Sequence, residues 1–279
     1  MSKDVLKVQN SHKRDENIVL HTSGHRYEIK TDPHTRYTSV TTWIHKHFPK
    51  FDADQSINNM MNSNKWKPGH QYWGMTAEEI KASWNKKGDN AANSGTELHE
   101  DIEYFMNNEA LKDVSYTHED LLKVGTSSNE SVEWQYFINY LKDNLDLKPY
   151  RTEWLVYDED LKLSGSIDMV YENPDGTLMI YDWKRAKDIP KENDWRRNAS
   201  NPIIGHFPDT KYWQYSLQLN VYKRILERKY GKKVTKLCLV KLHPETECKN
   251  YEILDVPILE DEVDKLFKEQ EELVNKKKK

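Results

Sequence analysis

Hydrophobic and polar positions change period along this chain, and the changes divide it into segments. Residues 1–20 are polar and aperiodic, the pattern of a loose N-terminal arm. Residues 25–30 alternate as a short strand does, and Tyr37-Thr38-Ser39-Val40-Thr41-Thr42-Trp43-Ile44 reads as the capped start of a helix. Residues 52–90 are rich in Trp, Asn and Lys and predict helix without a clear apolar face. Between 89 and 107 the helical period is plain, carried by Leu98, Ile102 and Phe105, and 131–145 predicts a second, acidic helix. The period then drops to two. Residues 153–157, 162–172 and 178–183 predict three successive strands rich in Val, Ile, Leu and Tyr. A helix over 210–229, strands over 236–242 and 251–254, and a helix from 259 to a lysine tail at 276–279 complete the chain. No internal repeat is visible. Helices, then a sheet, then a helix returning to the sheet predict one α/β domain over 21–275. Within it, 21–90 is a mainly helical N-terminal elaboration and 91–275 the core.

Composition sets bounds on this reading. Charged residues make up 32% and the hydrophobic set 36%, yet 9 Trp, 16 Tyr and 6 Phe argue for a packed interior, because disordered chains are poor in aromatics. A length of 279 residues is enough to bury a proper core. The net charge of −4 excludes a uniformly basic, histone-like protein. It hides an asymmetry: residues 181–240 hold 14 Lys/Arg against 6 Asp/Glu, a net of +8, and residues 101–140 hold 2 against 8, a net of −6. The basic segment is either a localised polyanion-binding surface or a solvated helix face. No apolar run approaches the roughly 20 residues needed to cross a bilayer, and Met1-Ser2-Lys3-Asp4-Val5 does not open a signal peptide. A soluble, intracellular protein of the cytoplasm, nucleus or an organelle, with no membrane partner, is expected. Cys238 and Cys248 are too few to hold an iron–sulfur cluster or a four-thiolate zinc site.

The chemistry concentrates in residues 164–184. Asn173-Pro174-Asp175-Gly176 between two β-rich runs is a hairpin signal. Antiparallel pairing about a turn centred on Asp175 matches residues whose numbers sum to 350, which sets Asp168 opposite Asp182. Paired side chains sit about 4.5–5.5 Å apart at Cβ, and two carboxylates that close repel unless a proton or cation joins them. Lys184 lies two residues beyond Asp182, on the same strand face, with Leu178 and Ile180. Met169, Tyr171, Met179, Tyr181 and Trp183 supply the other face, as expected of a sheet sandwiched between helices. The acids and lysine suit a hard divalent cation beside an ammonium; a cross-strand salt bridge at a sheet end is the alternative.

Other residues bear on that choice. Gly95-Thr96-Glu97-Leu98-His99 falls on a predicted helix, with Gly95 permitting close backbone approach and His99 offering an imidazole ligand or serving structurally. Glu153 is a carboxylate on the neighbouring strand, either at the site or an exposed strand charge. Gln214, Gln218 and Tyr222 recur every four residues as one polar stripe on the long helix, beside an apolar stripe of Trp213, Leu217, Val221 and Ile225. The polar stripe suits phosphate and base contacts, or solubility.

Taken in order, Gly95-Thr96-Glu97-Leu98-His99, Glu153, Gly165-Ser166-Ile167-Asp168, Asp182-Trp183-Lys184 and Gln218-Leu219-Asn220-Val221-Tyr222 resemble the PD-(D/E)XK nuclease superfamily. Within it the chain is similar to the RecB-like exonucleases, including phage recombination exonucleases and the mitochondrial genome maintenance exonuclease. Tyr37-Thr38-Ser39-Val40-Thr41 and Trp84 add to the likeness with the last branch, and the resemblance spans roughly residues 37–243. It implies a restriction-endonuclease-like mixed central sheet flanked by helices, and Mg²⁺-dependent phosphodiester hydrolysis in which Mn²⁺ substitutes. It implies Asp168, Asp182 and His99 as metal ligands, Lys184 as the catalytic lysine and Glu153 as a further active-site acid. Gln214, Gln218, Tyr222 and Thr96 are then expected to contact substrate, and the expected partner is DNA, single-stranded or end-containing. The acid before the lysine is Asp182 where Glu is commoner, which shortens its reach. No cysteine cluster and no Gly-x-x-x-x-Gly-Lys-Ser/Thr motif is present, so no iron–sulfur cluster or helicase is implied.

The leading expectation is a stand-alone, metal-dependent DNA exonuclease of replication, repair or recombination, of cellular, viral or phage origin. The alternatives are a structure-specific endonuclease with the same site and a non-catalytic nucleic-acid-binding module. Trp43, Trp66, Trp73 and Trp84 are candidates for stacking on unpaired bases, or else the core of the helical elaboration.

Overall fold

The structure is a computed structural model that describes residues 3–21, 23–125, 127–193 and 196–276. The chain forms two compact units, Met1–Pro49 with Leu98–Lys279, and Lys50–Glu97. In chain order the elements are α1 (Val5–Gln9), β1 (Ile18–His21), β2 (Arg26–Ile29), β3 (Thr38–Ser39), α2 (Val40–His45), α3 (Ala53–Met61), α4 (Ala77–Met106), α5 (His118–Val124) and α6 (Val132–Asp143). They continue with β4 (Lys148–Asp158), β5 (Leu163–Glu172), β6 (Leu178–Lys184), α7 (Lys211–Tyr230), β7 (Val234–Lys241), β8 (Glu252–Asp255) and α8 (Glu260–Lys276).

A mixed sheet organises the larger unit. β4, β5 and β6 form an antiparallel meander, β7 runs parallel to β6 after the α7 crossover, and β8 pairs antiparallel with β7. Both faces are covered, as the runs of apolar residues in β5 and β6 require. Leu163, Ile180, Leu237 and Leu239 pack with α2, α7 and α8 on one side. Met169, Tyr171, Tyr181, Trp183 and Val240 pack with α1, α5, α6 and the last turns of α4 on the other. β5 keeps β4 along its whole length, but its opposite edge is shared: residues 169–172 pair with β6 and residues 163–164 pair with β3. Between those two segments β5 and β6 part, and the fork this opens lies at the carboxyl end of β6.

The N-terminal arm is not loose. Val5 and Leu6 are buried, the Leu6 N–H donates to Asn107 Oδ1 at 2.9 Å, and Asn10 Nδ2 donates to the Tyr150 carbonyl at 2.9 Å. Five residues, of which only Val5 and Leu6 are buried, are too short a run to show a helical period. Asp15 fixes the following turn by accepting from Arg151 Nη1 at 2.7 Å and Trp154 Nε1 at 2.9 Å. Between residues 21 and 90 the helical expectation is also incomplete, because β1 and β2 form an antiparallel hairpin. Helix breaks between α3 and α4, where Gly69 and Gly74 take φ of 96° and 86°, a region glycine enters without a Cβ penalty. Of the terminal lysines, Lys277, Lys278 and Lys279 lie outside the described residues. Among the described residues no helix is long and apolar enough to cross a membrane.

The unit Lys50–Glu97 contains the buried Ile57 and Ile80 and a group of aromatic rings in contact with one another. Trp66 lies 5.7 Å from Trp73 and Trp84 lies 6.1 Å from Phe51, with Trp73 and Phe51 exposed. Trp43, by contrast, is a core residue of the larger unit. It is buried on Phe267 and donates Nε1–H to Gln270 at 3.0 Å, so it offers no face for stacking.

Candidate active site

Three neighbouring strands bring three acids abreast. On β4 and β5, the pairs Thr152↔Met169 and Trp154↔Ile167 bracket Glu153 and Asp168. On β5 and β6, pairing runs from Glu172↔Leu178 to Met169↔Tyr181, every pair summing to 350, and stops one step before Asp168 and Asp182. Where the ladder stops, the Asp168 side chain replaces it: Oδ2 accepts the Trp183 N–H at 3.0 Å. Glu153 takes a φ of 41°, left-handed backbone uncommon for a residue with a Cβ. That turn re-aims its side chain, and Ser166 Oγ donates to Glu153 Oε2 at 2.7 Å.

His99 arrives from α4. Its Nε2 lies 3.0 Å from the Trp183 carbonyl, an acceptor only, so Nε2 carries a proton and Nδ1 is the nitrogen turned toward the acids. Nδ1 is 3.7 Å from Glu153 Oε1 and 3.6 Å from Asp168 Oδ2. One ligand atom each from His99, Glu153 and Asp168 fits within a span of 4.8 Å. Asp182 is nearly fully buried and turned to Lys184, whose Nζ lies 2.5 Å from its Oδ2 and 4.4 Å from the centre of the Tyr215 ring on α7.

Electrostatics at the fork are unbalanced. Burial, then the nearby charges of Asp182 and Glu153, push the Asp168 carboxyl up to about 7. Burial works against a charged His99, but Asp168 and Glu153 outweigh it and hold the imidazole up at about 9. Burial also opposes the Lys184 charge, and Asp182 with Asp168 overcomes it, so the amine is held as an ammonium. For Glu153, burial is outweighed by the His99 imidazole beside it and the hydrogen bond from Ser166, which keep it below its usual range. Three carboxylates against Lys184 and a protonated His99 leave negative charge, and a divalent cation taking the place of the His99 proton at Nδ1 would neutralise it. Carboxylate oxygens with an imidazole nitrogen are a donor set suited to such an ion.

The residues singled out from sequence divide into those at the fork and those elsewhere. Lys184, Asp168, Asp182, Glu153 and His99 converge. The tight three-residue cluster includes Glu153 rather than Asp182, an exchange that depends on the left-handed backbone at Glu153 and so has no pattern in sequence. Gln218 and Tyr222 are buried; Gln218 bonds to Tyr222, whose ring lies against Gly165 so closely that a Cβ there would come within 2.6 Å of it. Gln214 donates to Asp209 Oδ1 at 3.1 Å. Thr96 belongs to the Lys50–Glu97 unit and donates to the Ala92 carbonyl at 3.0 Å. A Cβ at Gly95 would meet no described residue within 4 Å outside its own helix turn, so no described segment of the chain uses the close approach that Gly95 permits. Tyr215 and Ser166 were not anticipated; Ser166 stands inside the Gly-Ser-Ile-Asp motif, and Tyr215 carried no signal beyond its helix.

The +8 segment does not form a free basic surface on α7. Lys223, Arg224, Arg228 and Lys229 all pair with acids, among them Glu227, Asp264, Glu271 and Asp160. Two of those acids lie on α8, outside the segment whose charge was counted, and Asp160 lies on the turn after β4.

A mixed sheet between helix layers, forked where its acids and lysine meet, is the restriction-endonuclease-like arrangement. The family model of the PD-(D/E)XK nuclease superfamily matches residues 77–278, and the chain belongs to that superfamily, whose nucleases use divalent metal ions. No curated protein matches the chain.

Proposed function

We propose that the protein is an Mg²⁺-dependent DNA exonuclease of the RecB-like kind, acting at free or single-stranded ends in replication, repair or recombination inside a cell. The observation that carries this reading is the convergence of His99 Nδ1, Glu153 and Asp168 within 4.8 Å, beside an ammonium held by Asp182. In this reading those three residues hold the metal, with Asp182 at its margin. When bound, Mg²⁺ or Mn²⁺ polarises a phosphate oxygen and lowers the pKa of bound water. The Trp183 carbonyl fixes the His99 tautomer, and Ser166 steers Glu153. Asp182 keeps Lys184 protonated, so the lysine acts as a cation at the attacked phosphate and not as a base. Gln218 and Tyr222 back the fork from within, while Gln214 and Thr96 are assigned to substrate. The exposed rings of Trp73 and Phe51 support single-stranded substrate, since any base can stack on an aromatic face.

Digestion of linear single-stranded, closed circular single-stranded and duplex DNA side by side with Mg²⁺ tests the reading. Linear strands should be degraded and closed circles spared. Rapid cutting of circles would replace the exonuclease with an endonuclease using the same site.

A further inference from the structure

Lys184 is restrained by two different elements. Its own strand supplies Asp182, with Oδ2 2.5 Å from Nζ, and α7 supplies the Tyr215 ring, with its centre 4.4 Å away. A lysine has a flexible four-carbon stem, and a single carboxylate fixes its ammonium at one point only. A contact with Asp182 alone would also let the ammonium settle into a static ion pair. An aromatic face attracts a cation without accepting a conventional hydrogen bond, so it directs Nζ while leaving N–H donors for water or phosphate. Tyr215 is half-buried and packs against the core formed with α7, which fixes the ring more firmly than an exposed tyrosine.

We propose that Tyr215 is a positioning residue for Lys184, its ring holding the ammonium in the orientation that hydrolysis requires. The proposal rests on the nuclease reading for its catalytic consequence, but not for the contact itself. The operative group is the ring face, so the hydroxyl is dispensable. Tyr215→Leu should lower kcat about tenfold with KM little changed, and Tyr215→Phe should restore kcat to within about twofold.

The test pairs those kinetics with NMR of protein labelled with ¹³C at the lysine ε-carbon, the Lys184 signal identified by its loss in Lys184→Arg. The ε-protons of Lys184 should be shifted upfield by the ring, keep that shift in Tyr215→Phe and lose it in Tyr215→Leu. Tyr215→Met repeats the experiment should the leucine variant unfold. An unshifted Lys184 signal in the wild type, or an unchanged kcat in folded Tyr215→Leu, would overturn the proposal. So would a phenylalanine variant as impaired as the leucine one, which would make the hydroxyl the working group. Absence of hydrolysis by the wild type would defeat the nuclease reading, while the NMR shift would still decide the contact.

Discussion

Asp168 Oδ2 accepts the backbone N–H of Trp183 at 3.0 Å, so a side chain takes over from the sheet at the point where β5 and β6 part. Trp183 in turn gives its carbonyl to His99 Nε2 at 3.0 Å. One peptide-bearing residue between Asp182 and Lys184 therefore orients both an acid and an imidazole of the cluster. Its indole is buried among Phe137 and Tyr140, which anchors that backbone from the opposite face of the sheet.

The acids at the fork should cost stability in the absence of metal. Asp168→Asn removes one of three neighbouring carboxylates, relieving like-charge repulsion in a buried site. Without metal, the variant should be more stable than the wild type by about 1–2 kcal/mol, or roughly 2–8 °C in Tm. Added Mg²⁺ should raise the wild-type Tm and leave that of the variant unmoved, because only the wild type gains binding energy. Thermal melts with and without Mg²⁺ check both signs.

Lys184→Ala should reduce hydrolysis by about 10²–10³-fold, the scale of losing one preorganised charge at a reacting oxygen. Metal affinity measured by titration calorimetry should persist, since the lysine is not in the His99, Glu153 and Asp168 cluster. Retention of near-normal rates would reduce Lys184 to a structural partner of Asp182.

Gly165 is required by its neighbour. A Cβ built there would lie 2.6 Å from Tyr222 Cε1 and 2.7 Å from its hydroxyl, and Tyr222 is buried with little room to retreat. Gly165→Ala should destabilise the protein by about 1–3 kcal/mol through overpacking. In Gly165→Ala with Tyr222→Leu the alanine should cost much less than in the wild-type background, a coupling that a double-mutant cycle by urea unfolding measures.

The sequence contained much of this site because strand pairing follows arithmetic. A turn at Asn173-Pro174-Asp175-Gly176 sets the sum of 350, and the observed pairs from Met169↔Tyr181 to Glu172↔Leu178 keep it. The same period of two assigned Met169, Tyr171 and Trp183 to one face and Ile180 to the other, as the two cores require. What escaped depends on backbone departures and tertiary partners. The left-handed Glu153 carries no signature in an ordinary strand sequence, β1 lacks a clear alternation, and the five-residue α1 is too short for one. The charge excess of 181–240 left its partners open, because Arg224 and Arg228 find Asp264 and Glu271 some 40 residues away, across α7 and α8.

His118 sets an acid limit on stability. It is buried against Tyr140 and Tyr171, and burial drives its pKa down to about 3, from 6.5 when free. Between those values the unfolded chain binds a proton that the folded one refuses, so stability falls as pH drops from 6.5 toward 3. The contribution of His118 to that slope is about 1.4 kcal/mol per pH unit at most. His118→Phe loses the bond between Nε2 and the Tyr171 hydroxyl and should be the less stable protein at pH 7. Its deficit should shrink or reverse by pH 4, as denaturant unfolding at the two pH values would reveal.

The central claim is a divalent-metal site that cuts DNA, and chelation followed by metal add-back probes it most directly. End-labelled linear single-stranded DNA is incubated with protein stripped by excess chelator, then with Mg²⁺ returned, for the wild type and for Asp168→Asn. The account requires no cleavage in chelator, recovery on Mg²⁺ addition for the wild type, and none for the variant. Cleavage that persists in excess chelator, or an Asp168→Asn variant that recovers fully, would contradict it.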